Sequence, residues 1–176
     1  MFNFLKNKET LLQQKLVKFS QKERLTSNTL IKSVAILTSE ELFNKNNLED
    51  VIKKSFEPEL LKVFAFKTFD KKAEFSSINF TEKSINRKGE IVEEGFKEFL
   101  QTQFDLLICL FDENNLYLEY ASILSKATYK VGFSDVNTSM LDLEIKSDTT
   151  KIDEFLSELK KYLIILNKLP KEEILT

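Results

Sequence analysis

Seven side chains have the types and positions to do chemistry: Thr38 and Ser39 after one apolar run, Asp112, Glu113 and Asn114 after a second, Ser134 and Asp135 after a third. In an open α/β sheet, ligands gather beyond the carboxyl ends of the parallel strands. If the three runs are neighbouring strands, these residues converge on one ligand-binding rim. Asp112, Glu113 and Asp135 are the carboxylates that could hold a hard cation, since Mg²⁺ accepts carboxylate and water ligands without histidine. The same residue types also cap helices and fill turns, and adjacent acidic residues in surface turns are ordinarily solvated. The expectation is a binding rim with no metal and no cofactor. Acid–base catalysis by these carboxylates would need one pKa raised by burial or by a close like charge, and the sequence shows neither.

Other chemistries lack their parts. The chain has no histidine, hence no imidazole base, nucleophile or metal ligand, and no G-x-S-x-G elbow. Its three glycines, Gly89, Gly95 and Gly132, are too sparse for a phosphate-cradling loop. A dinucleotide fingerprint would place glycines directly after Val34–Leu37, where Thr38-Ser39-Glu40-Glu41 stands instead. Helix N-terminal amides could still meet a phosphate, but Glu40 and Glu41 would repel it. Cys109 lies inside the apolar run Leu106-Leu107-Ile108-Cys109-Leu110 and reads as a buried small hydrophobe, not a reactive thiol. The balance leans away from an enzyme.

The elements that must position the rim follow from periodicity. Leu5, Leu12, Leu16 and Phe19 stack on one side of a helix over about 3–22, with lysines opposite. The helix packs on its own domain or docks on a membrane surface or nucleic acid. Gln21 to Thr29 is polar and predicted to be a linker. Val34-Ala35-Ile36-Leu37 is a short continuous apolar run of the kind buried on both sheet faces. Thr38 to Glu41 then has capping-box spacing, with Leu48, Val51, Ile52 and Phe56 at helical spacing beyond it and Pro58 as the stop. A second strand is expected at Lys62 to Phe69 and a third at Ser77 to Phe80. Asp70 to Ser76 is short for a parallel crossover, so this pair is either a hairpin or a loosely attached edge. Thr81 to Glu90 is expected to be an exposed loop, and Val92, Phe96, Phe99 and Leu100 define the next helix.

The clearest unit is Phe104 to Phe133. The strand FDLLICLF leads through Asp112-Glu113-Asn114-Asn115, a turn and helix cap, to a helix with Leu116, Tyr120, Ile123, Leu124 and Ala127 on one face. Tyr129 to Phe133 is the returning strand, parallel to the first. Leu141 to Ile145 adds an edge strand. Thr150 to Asp153 opens a final helix with Ile152, Phe155, Leu156, Leu159, Leu163 and Leu166 facing inward, ended by Pro170. Ile164 and Ile165 widen its apolar surface, which implies deep burial or a homodimer contact through this helix.

The block FDLLICLF, LYLEYASILSKA and YKVGF resembles a family of small, uncharacterised Rossmann-like proteins from Bacteroidota bacteria, and the resemblance extends from about Ser33 to Leu166. More distantly, it is similar to the N-terminal half of heptosyltransferase-type glycosyltransferases, with Cys109 in place of that pattern's second acidic residue. The second resemblance implies a reduced relative of nucleotide-sugar glycosyltransferases, holding at most one half of a two-domain enzyme.

The predicted fold is α/β, a Rossmann-like three-layer sandwich on a mostly parallel sheet of about five or six strands. Residues 1–28 form the basic helix and linker, 29–170 the domain and 171–176 a tail. At 176 residues the chain is long enough to bury roughly 70% of its unfolded surface. Residues 1–32 hold seven basic side chains against Glu9 and Glu23, while the rest holds 19 basic and 26 acidic ones, so a basic arm precedes an acidic body. No apolar stretch approaches a membrane span and the first residues lack a signal-peptide core, so a cytoplasmic protein is expected. Three functions fit: a non-catalytic module binding a partner protein or small ligand, the reduced glycosyltransferase, and a peripheral adaptor docking on anionic membrane or RNA through its basic helix.

Overall fold

A computed structural model describes residues 2–21, 29–111, 115–134 and 140–170. The helix α1 (Phe2–Ser20) precedes β1 (Ser33–Ser39), α2 (Glu40–Lys45), α3 (Leu48–Phe56), β2 (Leu60–Phe66) and β3 (Asn79–Phe80). The chain continues through α4 (Glu94–Gln101), β4 (Leu106–Leu110), α5 (Leu116–Leu124), β5 (Tyr129–Phe133), β6 (Leu143–Ile145) and α6 (Ile152–Ile165). The six strands form one sheet in the order β3-β2-β1-β4-β5-β6, and every pairing is parallel. This is the Rossmann order, in which the chain winds one way from β1 to β3 and then restarts beside β1 to wind the other way. The helices α4 and α5 pack together, as do α3 and α6. Right-handed crossovers require this segregation, because opposite winding directions place their helices on opposite sheet faces. The central strands β1 and β4 are covered on both sides, which is why Val34–Leu37 and Leu106–Leu110 are apolar without alternation.

The third strand is a parallel edge and not one arm of a hairpin. Strand β2 spans Leu60–Phe66, earlier than the expected Lys62–Phe69, and β3 is reduced to Asn79–Phe80. Residues 67–78 are thereby freed to return along the edge without a helix, and Ala65 pairs with Asn79 and Phe66 with Phe80. The sheet is accordingly all parallel where it was expected to be mostly so.

Thr81 to Glu90 is an exposed loop only in part. Thr81, Ser84, Ile85 and Gly89 are buried, and Thr81 and Ser84 cap each other across a single 3₁₀ turn. Ile85 and Ile91 then bridge in antiparallel fashion around a turn that Gly89 closes at φ +75°. The Tyr120 hydroxyl donates to the Gly89 carbonyl at 2.8 Å. A side chain at Gly89 would meet that hydroxyl and take up a left-handed backbone, so Gly89→Ala is expected to cost about 1–2 kcal/mol. Gly95, in α4, has open space where a Cβ would stand, so Gly95→Ala should add about 0.5–1 kcal/mol. Urea unfolding of the two variants should therefore move in opposite directions; equal shifts would refute this account of the turn.

The N-terminal helix lies on the domain. Leu12 and Leu16 of α1 are buried, with α5 as the main helix it packs on. Its lysines are not all opposite that face: the Lys8 ammonium donates to the Glu82 carbonyl and that of Lys15 to the Lys88 carbonyl. Burial lowers the pKa of Lys8 despite the nearby carboxylates of Glu82 and Glu9. The Tyr117 phenol beneath it is pushed up to about 12 by burial and by the same two carboxylates. Of the expected linker, residues 22–28 lie outside the described residues.

Three helix boundaries differ from the pattern. The helix α4 starts at Glu94, because Val92 is committed to the preceding bridge, donating its N–H to the Ser84 carbonyl. The cap of α2 is Ser39 and not Thr38. The helix α6 is closed by Asn167 at φ +55° and not by Pro170: the Asn167 and Lys168 N–H groups return to the carbonyls of Ile164 and Leu163. That is a Schellman closure, with asparagine taking the left-handed position often held by glycine. It turns Leu166 off the inward face, leaving it 43% exposed beside Ile165 at 71%. No described helix is long and apolar enough to cross a membrane.

Candidate functional site

The strand order reverses between β1 and β4, which lie side by side with Val34 opposite Leu106 and Thr38 opposite Leu110. Beyond the carboxyl ends of two strands whose connections leave in opposite directions, no crossover covers the sheet and a crevice forms. Here it is a cleft of about 420 Å³, with Ser39 and Phe111 at the strand ends and Asn115 and Leu118 of the α5 entrance on one wall. Lys45 and Asn46 from the end of α2, with Thr149 and Thr150 ahead of α6, complete the rim. Its size falls within the range of small-ligand pockets.

Of the residues expected at this rim, Ser39 lines the cleft. Thr38 is fully buried and donates its hydroxyl to the Leu110 carbonyl at 2.7 Å, tying β1 to β4. Ser134 ends β5 half-buried, its N–H on the Ile145 carbonyl, and does not line the cleft. Asp112, Glu113, Asn114 and Asp135 lie outside the described residues. Among the described residues no cluster of three or more histidines, cysteines or acids is placed to hold a metal ion.

The polar side chains of the cleft are engaged in holding its own walls. Ser39 Oγ accepts the Leu42 N–H, and Asn115 Oδ1 accepts the N–H groups of Tyr117 and Leu118. Lys45 pairs with Glu41 at 2.6 Å, and the Asn46 amide donates to the Leu42 carbonyl. Thr150 donates to Asp148, whose carboxyl these hydrogen bonds hold below the usual range. Cys109 is fully buried, 3.4 Å from the Ser122 hydroxyl, so its thiol does not reach the cleft. The arrangement can seat a small polar molecule against formed walls. Among the described residues it offers no nucleophile paired with a base.

Sequence reasoning marked Asn115 and Thr150 as cap and turn residues but did not bring them to the same place as Ser39. Nothing local could do so, because the wall ahead of α6 reaches the cleft only after the sheet has wound through β5 and β6. Lys45, Asn46 and Thr149 carried no signal beyond that of an ordinary helix end.

No curated protein and no solved structure matches the chain. The model of the Family of unknown function (DUF6913) matches residues 8–166, from within α1 to the C-cap of α6. The docked helix, both halves of the sheet and the cleft between them are therefore all part of the matched unit, and the chain belongs to that family.

Proposed function

We propose that the protein is a non-catalytic, cytoplasmic Rossmann-like binding module whose ligand is a small polar molecule of about nucleotide size, seated between β1 and β4. The observation that carries this reading is the engagement of the cleft's polar side chains in caps and ion pairs. A built cleft whose hydroxyls and amides already serve the scaffold favours recognition over group transfer, which needs an activated nucleophile or a poised acid and base. Fold alone assigns no function, so the cleft has to be tested directly.

Thermal unfolding in the presence of nucleotides and sugar nucleotides, with and without Mg²⁺, is the test. A ligand at about 100 times its dissociation constant adds roughly 2.7 kcal/mol of stability. At least one compound should raise the melting temperature, be recovered unchanged after prolonged incubation, and lose its effect in Thr150→Trp, which fills the cleft from an exposed wall position. A flat response across the panel would remove the support for a cleft ligand. Consumption of a sugar nucleotide would replace this reading with that of a reduced glycosyltransferase.

A further inference from the structure

A second concavity, away from the switch point, gathers charge from three separate parts of the chain. It is an open groove of about 1030 Å³ beyond the carboxyl ends of β2 and β3. Lys8 comes from α1, Lys71 and Lys72 from the return between β2 and β3, and Lys83 and Arg87 from the segment leading to α4. Two carboxylates oppose these five cations, and both are held by backbone: Glu82 accepts the Phe69 N–H at 3.0 Å and Asp70 the Lys72 N–H at 2.9 Å. Lys71 and Lys72 are exposed, and their ammonium groups have no carboxylate partner among the described residues. The chain as a whole carries −2, so the attraction of this groove for anions is local and not a consequence of overall charge.

Phe69 gives the groove an aromatic side chain, and Phe75 stands against it outside the lining. The Phe69 ring lies under the Lys83 ammonium, 3.2 Å from its centroid, and stacks on Phe75 with centroids 5.8 Å apart and planes 14° from parallel. Phe75 is 40% exposed. We propose that this groove binds single-stranded nucleic acid, its lysines tracking the phosphates and the exposed Phe75 ring, held in place by Phe69, giving a base a stacking surface at the groove's edge. Cationic grooves interleaved with aromatic rings are the recurrent means of holding a single strand without reading its sequence. A bilayer fits less well. The cations line a concavity that a flat surface does not enter, and Leu12 and Leu16 of α1 are buried on the domain and not offered to lipid. An acidic peptide would answer the charge but leave the ring pair unused. The groove is independent of the switch-point cleft, so either proposal can fail alone.

The test is fluorescence anisotropy of the full chain with a labelled oligouridylate of about twelve nucleotides. Binding should weaken between about 50 and 200 mM salt, with a log–log slope near −3 if about four phosphates are neutralised. The double variant Lys71→Glu, Lys72→Glu should lose affinity at least about tenfold and about 1.4 units of slope, about 0.7 for each phosphate contact removed. Its thermal unfolding should be unchanged, since both side chains are exposed. Phe75→Ala should weaken binding without changing the slope. Lys54→Glu, on α3 at the opposite sheet face, should bind as the parent does. The proposal is overturned by absence of binding at low salt, or by equal loss in the Lys54 variant. It is also overturned if phosphatidylserine vesicles or poly-glutamate bind in the groove while the oligonucleotide does not.

Discussion

Phe96→Ala should lower the unfolding free energy by about 4 kcal/mol, within the range for removing a large buried aromatic. Phe96 is fully buried and is the hub through which α4 holds the weak edge of the sheet. Its ring stacks on Phe80 of β3, with centroids 4.1 Å apart, and packs against Phe64 of β2 at 5.4 Å and Phe99 of its own helix at 6.4 Å. The edge strand has only two residues in its ladder, so its position depends on this ring cluster more than on backbone hydrogen bonds. Truncation removes the transfer free energy of the ring and leaves a cavity that three other rings cannot all collapse into. Phe96→Leu keeps most of the volume and should cost about 1–1.5 kcal/mol. Urea titration of the two variants measures both; a loss below about 1 kcal/mol for alanine would mean that the cluster is not what fixes the edge.

Asp105→Ala should cost about 2–3 kcal/mol at neutral pH, and the cost should shrink in acid. The Asp105 carboxylate accepts hydrogen bonds from the Lys32 N–H at 3.0 Å, the Ser33 N–H at 2.8 Å and the Ser33 hydroxyl at 2.7 Å. The Ser33 hydroxyl oxygen in turn accepts the Asp105 N–H at 3.0 Å. Since the Asp105 carbonyl takes the Tyr129 N–H, one residue ties together the amino ends of β1, β4 and β5. Partial burial pulls the carboxyl pKa upward. The Ser33 hydroxyl, the two backbone N–H groups and the Lys32 charge together outweigh it and hold the pKa below the usual carboxylate value. A pKa depressed in the folded state contributes stability that is complete above the unfolded value, about 3.9, and is lost as pH falls through the folded value. The gap between parent and variant should be constant from neutrality to about pH 5 and narrow below about pH 4. A gap undiminished at acid pH would show that the carboxylate charge is not the source of the clamp.

The Asp105 clamp marks a limit of the sequence pattern. An aspartate heading an apolar strand is visible in the chain, but at the amino edge of the sheet it serves the scaffold, while ligands gather at the carboxyl edge. Thr38 is the converse case. Its position directly after the apolar run Val34–Leu37 suggested a rim residue, yet β1 extends through Ser39 and the hydroxyl is consumed by the Leu110 carbonyl. Two further residues of strand decided between rim and core, because they put Thr38 inside the ladder opposite Leu110, on a strand covered on both faces. The hydroxyl cap itself was legible, and so was the unit from β4 through α5 to β5, whose apolar run, asparagine cap and returning strand are all local signals.

The sequence by itself determined that this is an α/β domain with one strand, Val34–Leu37, buried on both faces, a parallel strand–helix–strand unit, capped helices and an N-terminal helix with one apolar face. Those features rest on burial and capping, which are written in spacings of two to four residues. Only the tertiary structure decided the strand order, the parallel edge, the cleft between β1 and β4, and the meeting of Lys8 with Lys71, Lys72, Lys83 and Arg87 in one groove. The physical reason is that periodicity says which face of an element is buried but not against what. Residues far apart in the chain become neighbours only through strand pairing and crossover handedness, and these are properties of the whole sheet.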